Sequence, residues 1–134
     1  MVLQTSRKYN LRSCHPKYIR KIDKMTKKKI KIPIYQGTLV LIKSKNFDWT
    51  NKNYGYHIPE KYGAVSFENE KPNGFEYVVS LVDTNMSLIA HEAVHICNYI
   101  FKNVGADLDK VNDEPQAYLV GWIVEEIDKF LNQD

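Results

Sequence analysis

The chain has little that would cross-link it, anchor it or keep it unfolded. Only two of its 134 residues are cysteines, Cys14 and Cys97, far apart and in no CxxC pair. A disulfide framework is therefore not expected, and a reducing compartment suits both thiols. No stretch approaches eighteen consecutive apolar residues, so no membrane-spanning helix is expected. Arg7, Lys8 and Arg12 near the N-terminus have no apolar segment behind them, unlike a secretory signal. These absences lead us to expect a cytoplasmic protein with no membrane partner. Internal repeats are missing, and the lysine run is the only low-complexity stretch. Disorder is disfavoured by a 43% hydrophobic content that includes nine Tyr, five Phe and two Trp. At 134 residues the chain reads as one domain, residues 1–134, with room for a single core.

Acidic residues are nearly missing from the first quarter. Residues 1–31 hold eleven Lys or Arg against Asp23 alone, a local charge of +10, while the remainder carries −7. Two readings follow for residues 7–31. They could dock nucleic acid or an acidic protein, as Lys/Arg clusters do by releasing counterions. They could equally form a solvated face against the acidic part of their own chain.

The pattern changes along the chain in a way that predicts alternating element types. Ser13-Cys14-His15-Pro16 resembles a helix start, and Tyr18, Ile19, Ile22, Met25 and Thr26 form a narrow apolar stripe running to Lys29. From Ile30 to Ser44 the β-branched content predicts strand, irregular at Pro33 and central to a sheet at Leu39–Ile42. Residues 45–61 form a long connection rich in aromatics, either a wall beside a site or a loop anchored on the surface. Tyr62–Phe67 and Phe75–Val82 predict a hairpin closed at Pro72-Asn73-Gly74. Two helices complete the chain, Met86–Val104 capped by Asn85 or Thr84, and Glu114–Leu131. The first has a core stripe of Ile89, Ala93, Ile96, Cys97, Ile100 and Val104; Cys97 reads as a small buried hydrophobe. The second is apolar around much of its circumference and is expected to be largely buried.

The chemistry concentrates in His91-Glu92-Ala93-Val94-His95, early in the first of these helices. Residues four apart share a helix face, so His91 and His95 can present two imidazole nitrogens to one metal ion. Zinc suits neutral imidazole and lowers the pKa of a bound water to about 7. Glu92 sits beside the first histidine, where a carboxylate can serve as general base without binding the metal. Catalytic zinc keeps three protein ligands and an open position. Glu114 is the expected third ligand, in the first turn of the last helix behind an Asp113 cap, a Gln116 capping box and Pro115. It could also merely complement the helix dipole. His57 is the competing third ligand, and His15 reads as a surface group. Tyr118, one turn after Glu114, could steady an oxyanion or pack with its hydroxyl at the surface.

HExxH followed by a second helix that offers Glu resembles the gluzincin-type zinc peptidases. Glu114-x-x-Ala117 is similar to the E-x-x-A of the ImmA/IrrE-like peptidase family, and the run from Ala90 to Trp122 looks most like small HExxH proteins carried by bacteriophages. The resemblance implies zinc on His91, His95 and Glu114, with Glu92 as catalytic base. It also implies a peptide or protein substrate, held extended along a sheet strand beside the metal helix, and, for a phage protein, location in the host cytoplasm. One departure stands out: thermolysin-like members place Asp where this chain has Tyr118. The expected fold is α+β, a minimal zincin-like domain. It has an N-terminal helix, a small twisted sheet of three or four strands and two C-terminal helices (86–131) carrying the metal. The expected activity is metal-assisted peptide hydrolysis. The alternative is a weak or inactive zinc-binding protein that seizes a host or viral partner, with nucleic acid as a further candidate partner through residues 7–31.

Overall fold

The computed structural model describes residues 25–133. These residues form an α+β arrangement of four strands and three helices: β1 (Thr26–Lys31), β2 (Thr38–Lys43), α1 (Asp48–Tyr54), β3 (Ala64–Lys71), β4 (Gly74–Leu81), α2 (Met86–Val104) and α3 (Glu114–Leu131). The sheet order is β1-β2-β4-β3. β1 runs antiparallel to β2, β2 parallel to β4, and β4 antiparallel to β3. Leu39–Ile42 is fully buried inside the sheet, as its unbroken apolar run predicts.

Both faces of the sheet are covered. Leu39, Leu41, Tyr77, Val79 and Leu81 alternate onto one face and pack against α2 and α3. Val40, Ile42, Val65, Phe67 and Val78 point the other way, where Phe47, Tyr56 and Ile58 from the 45–61 connection meet them. That connection is thus the cover of the second face, with a short helix inside it that ends on Gly55 at φ +73°. Tyr54 and Tyr56 both set edges against Phe67, with ring centroids 5.0 and 4.7 Å away. His57 is exposed within it.

The expected N-terminal helix lies mostly outside the described residues, as do Cys14 and His15. Its last part, residues 26–29, is strand instead. Lys29 pairs with Val40 and Ile30 with Leu39, so the demand of β2 for a hydrogen-bonding neighbour overrides the helical stripe. The result is an edge strand of sequence Thr-Lys-Lys-Lys-Ile-Lys, whose lysines discourage pairing with foreign strands.

Between β1 and β2 the chain turns tightly. Tyr35 N donates to Pro33 O over 2.6 Å, and Ile34, between them, has φ +68°. This is a γ-turn of the rarer hand, held by a β-branched residue that disfavours positive φ. Gly37 closes it at φ +88°, where an added Cβ would lie 2.9 Å from the Tyr77 ring and 3.1 Å from the Phe75 carbonyl.

The hairpin forms with longer strands than the sequence suggested. β3 continues to Lys71, which pairs with Gly74 and leaves only Pro72 and Asn73 in the turn. The polar residues there still have partners: Glu68 receives Lys102 and Asn103 from α2, and Asn69 and Lys29 both donate to Glu76.

α2 and α3 start and stop where their signals lie. Asn85 caps α2, its side chain accepting from the backbone N–H groups of Ser87 and Leu88, and Gly105 ends it at φ +75°. Leu88, Ile89, Ala93, Ile96, Cys97 and Ile100 are buried, while Val104 is exposed, past the edge of the core. Each fully buried Leu or Ile contributes roughly 1.5–3 kcal/mol. In α3, Leu119, Ile123, Ile127 and Phe130 are buried. The other apolar residues of that helix are not: Trp122 is only partly covered and Tyr118 is 75% exposed. Asp113 stands at the cap position, but its side chain makes no cap hydrogen bond, so the expected capping box is not formed.

Candidate metal centre on helix α2

Two opposite flanks of α2 are identified by what they touch. Tyr99 directs its hydroxyl at the Ser66 carbonyl of β3 over 3.5 Å, and Lys102 and Asn103 both donate to Glu68 of the same strand. Cys97, by contrast, points at the Gln116 carbonyl in α3, 4.0 Å away. A helix turns about 100° per residue, which puts His95 about 40° from Tyr99 and His91 about 20° from Lys102 in projection. Both histidines lie about 120–160° from Cys97 by the same measure. They therefore stand on the β3 flank, away from α3.

On that flank the two rings are T-shaped at 85°, and their Nε2 atoms come to 3.1 Å of each other. Two imidazole nitrogens meet so closely only when they share a proton or a cation. Nitrogens about 2.0–2.1 Å from a tetrahedral zinc ion are separated by about 3.3 Å. The pair fits that span closely, and both residues are half-buried rather than hidden.

Glu92 is fully buried on the sheet-facing side of the same turn. Loss of solvent pushes its carboxyl up from 4.5 to about 8, an effect that the Ser66 hydroxyl beside it partly offsets. Neither Glu92 oxygen, nor Ser66 Oγ, has a partner in hydrogen-bond geometry among the described residues. A buried carboxyl without such partners is costly to the fold, and groups of this kind concentrate at functional sites.

The remaining expected site residues are not brought to the pair. Glu114 is exposed, about 140–180° around α3 from its buried stripe of Leu119, Ile123 and Ile127. Tyr118 lines a groove with Pro33, Ile34 and Tyr35, next to the β1–β2 turn, whereas β3 forms the other edge of the sheet. Its phenol does not face His91 and His95. Among the described residues no group of three His, Cys, Asp or Glu is placed to hold a metal ion, so His57 does not complete the pair either.

Sequence reasoning passed over Ser66, Glu68, Tyr99, Lys102 and Asn103, which fix β3 along α2. A signal was present. Alternation places Ala64, Ser66 and Glu68 on one face of β3, and Tyr99 follows His95 by one helical turn. Cys97 matches its expectation: it is buried, and burial pushes its thiol up to about 11, which suppresses nucleophilic character. Comparison with protein-family models, curated proteins and solved structures finds no match for this chain. No helix among the described residues is long and apolar enough to cross a membrane.

Proposed function

We propose that the protein is a zinc-dependent hydrolase of peptide bonds, a minimal zincin-like enzyme, in which His91 and His95 hold the metal and Glu92 is the general base. The observation that carries this reading is the convergence of the two Nε2 atoms at 3.1 Å with a buried carboxyl on the intervening residue. Zinc, when bound, supplies the Lewis acidity that polarises a carbonyl and makes water nucleophilic near neutral pH. Glu92 accepts the proton of the attacking water and returns it to the departing amine. Its place one residue after His91, buried on the same turn as both imidazoles, is what suits it to that exchange. β3, which pairs only with β4 among the described residues, lies beside the two histidines and is the strand suited to hold an extended peptide. Tyr99 and Lys102 keep that strand at a set height above the site.

A second reading is a zinc-binding protein without turnover, favoured by the lack of a third ligand among the described residues and by the outward position of Glu114. One experiment separates them. Zinc content is measured by elemental mass spectrometry on the parent, His91→Ala and Glu92→Gln, alongside cleavage of a peptide library. The hydrolase reading expects zinc in the parent and in Glu92→Gln, none in His91→Ala, and cleavage by the parent alone. Zinc with no cleavage by any protein supports the binding reading. Equal cleavage by parent and Glu92→Gln removes the proposed base.

A further inference from the structure

We propose that Ser66 is the residue that positions the Glu92 carboxyl: its hydroxyl donates to one carboxylate oxygen from β3, which holds the other for the proton exchange. This role rests on the reading of Glu92 as general base. Alternation along β3 puts Ala64, Ser66 and Glu68 on the sheet face that meets α2, opposite Leu81, Val79 and Tyr77 of β4. Glu92 is fully buried on the side of α2 that meets the same face. Tyr99 lies seven residues on, about 20° from Glu92 in projection, and helical side chains lean toward the N-terminal turn. Its hydroxyl reaches the Ser66 carbonyl over 3.5 Å. The line of α2 that carries Glu92 therefore runs over Ser66.

The partners of the neighbouring polar groups single out this pair. Glu68 accepts from Lys102 and Asn103, and Asn103 also donates to the Tyr77 hydroxyl. Ser66 Oγ and both Glu92 oxygens stand without a partner in hydrogen-bond geometry among the described residues, although both residues are 0% exposed. An ionised carboxylate only accepts, and a serine hydroxyl has one proton to give, so each has what the other lacks. At this carboxyl burial acts first, and the Ser66 hydroxyl acts against it. A buried hydroxyl is costly without a partner, and Ala occupies the same face of β3 two residues earlier, at Ala64. Hydrogen bonds of this kind are often long before substrate arrives and tighten in the reacting complex. A carboxylate held by one oxygen cannot swing, and a misplacement of about 1 Å at a reacting group can cost about 100-fold in rate.

The test uses the full zinc-loaded chain on a peptide that the parent cleaves, with Ser66→Ala, Ser66→Thr and Glu92→Gln beside it. Ser66→Ala should keep its zinc and hold KM within about twofold while kcat falls about ten- to a hundredfold. Ser66→Thr, which keeps the hydroxyl, should recover most of that kcat. Unchanged kcat in Ser66→Ala beside an inactive Glu92→Gln overturns the proposal and leaves Glu92 as the base. A change confined to KM or to zinc content overturns it too, since that is a structural role. A parent that binds zinc and cleaves no peptide removes the hydrolase reading, and the positioning role falls with it. A double-mutant cycle tests the contact itself without activity. In urea unfolding at pH 9 with a chelator, Ser66→Ala should lower the folding constant at least about tenfold in the parent and under about threefold in Glu92→Met, which lacks the carboxylate. Equal effects in the two backgrounds overturn the contact whatever the kinetics show.

Discussion

Replacing Glu92 with Gln should make the metal-free protein more stable, and by an amount that depends on pH. The side chain is fully buried, and its carboxyl is raised from 4.5 to about 8. Between those values the folded chain holds a proton that the unfolded chain has released. Stability of the parent therefore falls as pH rises from about 4.5 to about 8 and levels off above that. At 1.36 kcal/mol per pKa unit the loss is about 3 kcal/mol at pH 7 and about 5 kcal/mol above pH 8. Gln is neutral and isosteric, so it escapes this loss. The difference between variant and parent should be near zero at pH 4, about 3 kcal/mol at pH 7 and larger at pH 9. Even the middle figure is a large part of the 5–15 kcal/mol typical of domain stability.

Urea unfolding from pH 4 to pH 9 in the presence of a chelator measures this difference directly. The chelator removes metal binding from the comparison, and both proteins keep His91 and His95, so histidine titration cancels. A difference that does not change with pH, or a variant less stable than the parent at pH 8, would refute the argument that an ionisable carboxyl is held there against its solvation. The same substitution is expected to abolish hydrolysis. A residue whose replacement stabilises the fold and removes the activity is one retained for its chemistry.

Other expectations follow from the same geometry. His91→Ala and His95→Ala should each lose zinc by mass spectrometry, whereas Glu114→Ala should retain it, because its side chain points away from the pair; loss in Glu114→Ala would show that α3 rearranges on metal binding. If zinc survives Glu114→Ala, donors outside the described residues, Cys14, His15, Asp23 and Asp134, are the ones to replace next. Asn103→Ala removes donors to Glu68 and to the Tyr77 hydroxyl, at 2.7 and 3.1 Å, and should cost about 1–3 kcal/mol in urea unfolding. It should also raise KM more than it lowers kcat, since β3 loses a tie to α2. Asn85→Ala should cost about 1 kcal/mol by loss of the α2 cap.

Much of this architecture was legible in the residues themselves. Asn85 and Gly105 mark the ends of α2, and Pro72-Asn73-Gly74 marks the hairpin, because caps and tight turns depend on backbone chemistry within a few residues. The central place of Leu39–Ile42 follows from a run with no polar alternation. Residues 26–29 read as the tail of a helix but are strand, because their fate depends on β2, which supplies the hydrogen bonds. The 45–61 connection was read as a loop because its aromatics have no periodicity. Their pattern has meaning only once Val65, Phe67 and Val78 present a face for them to cover.

The structure does not bring Glu114 to the pair, for a reason of the same kind, and it bears on how far a motif carries. Spacing of four residues guarantees that His91 and His95 share a face of α2, since that is a property of one helix. A third ligand from another helix requires knowledge of which flank of α2 that helix packs against. Cys97 decides it: its contact with the Gln116 carbonyl sets α3 on the flank opposite the histidines. The apolar stripe of α3, Leu119, Ile123, Ile127 and Phe130, then turns Glu114 to solvent. Neither fact is encoded within either helix alone. What the sequence carried was the shared face of His91 and His95 and the place of Glu92 on the turn between them. The flank they occupy is the β3 flank, on the side of α2 away from α3.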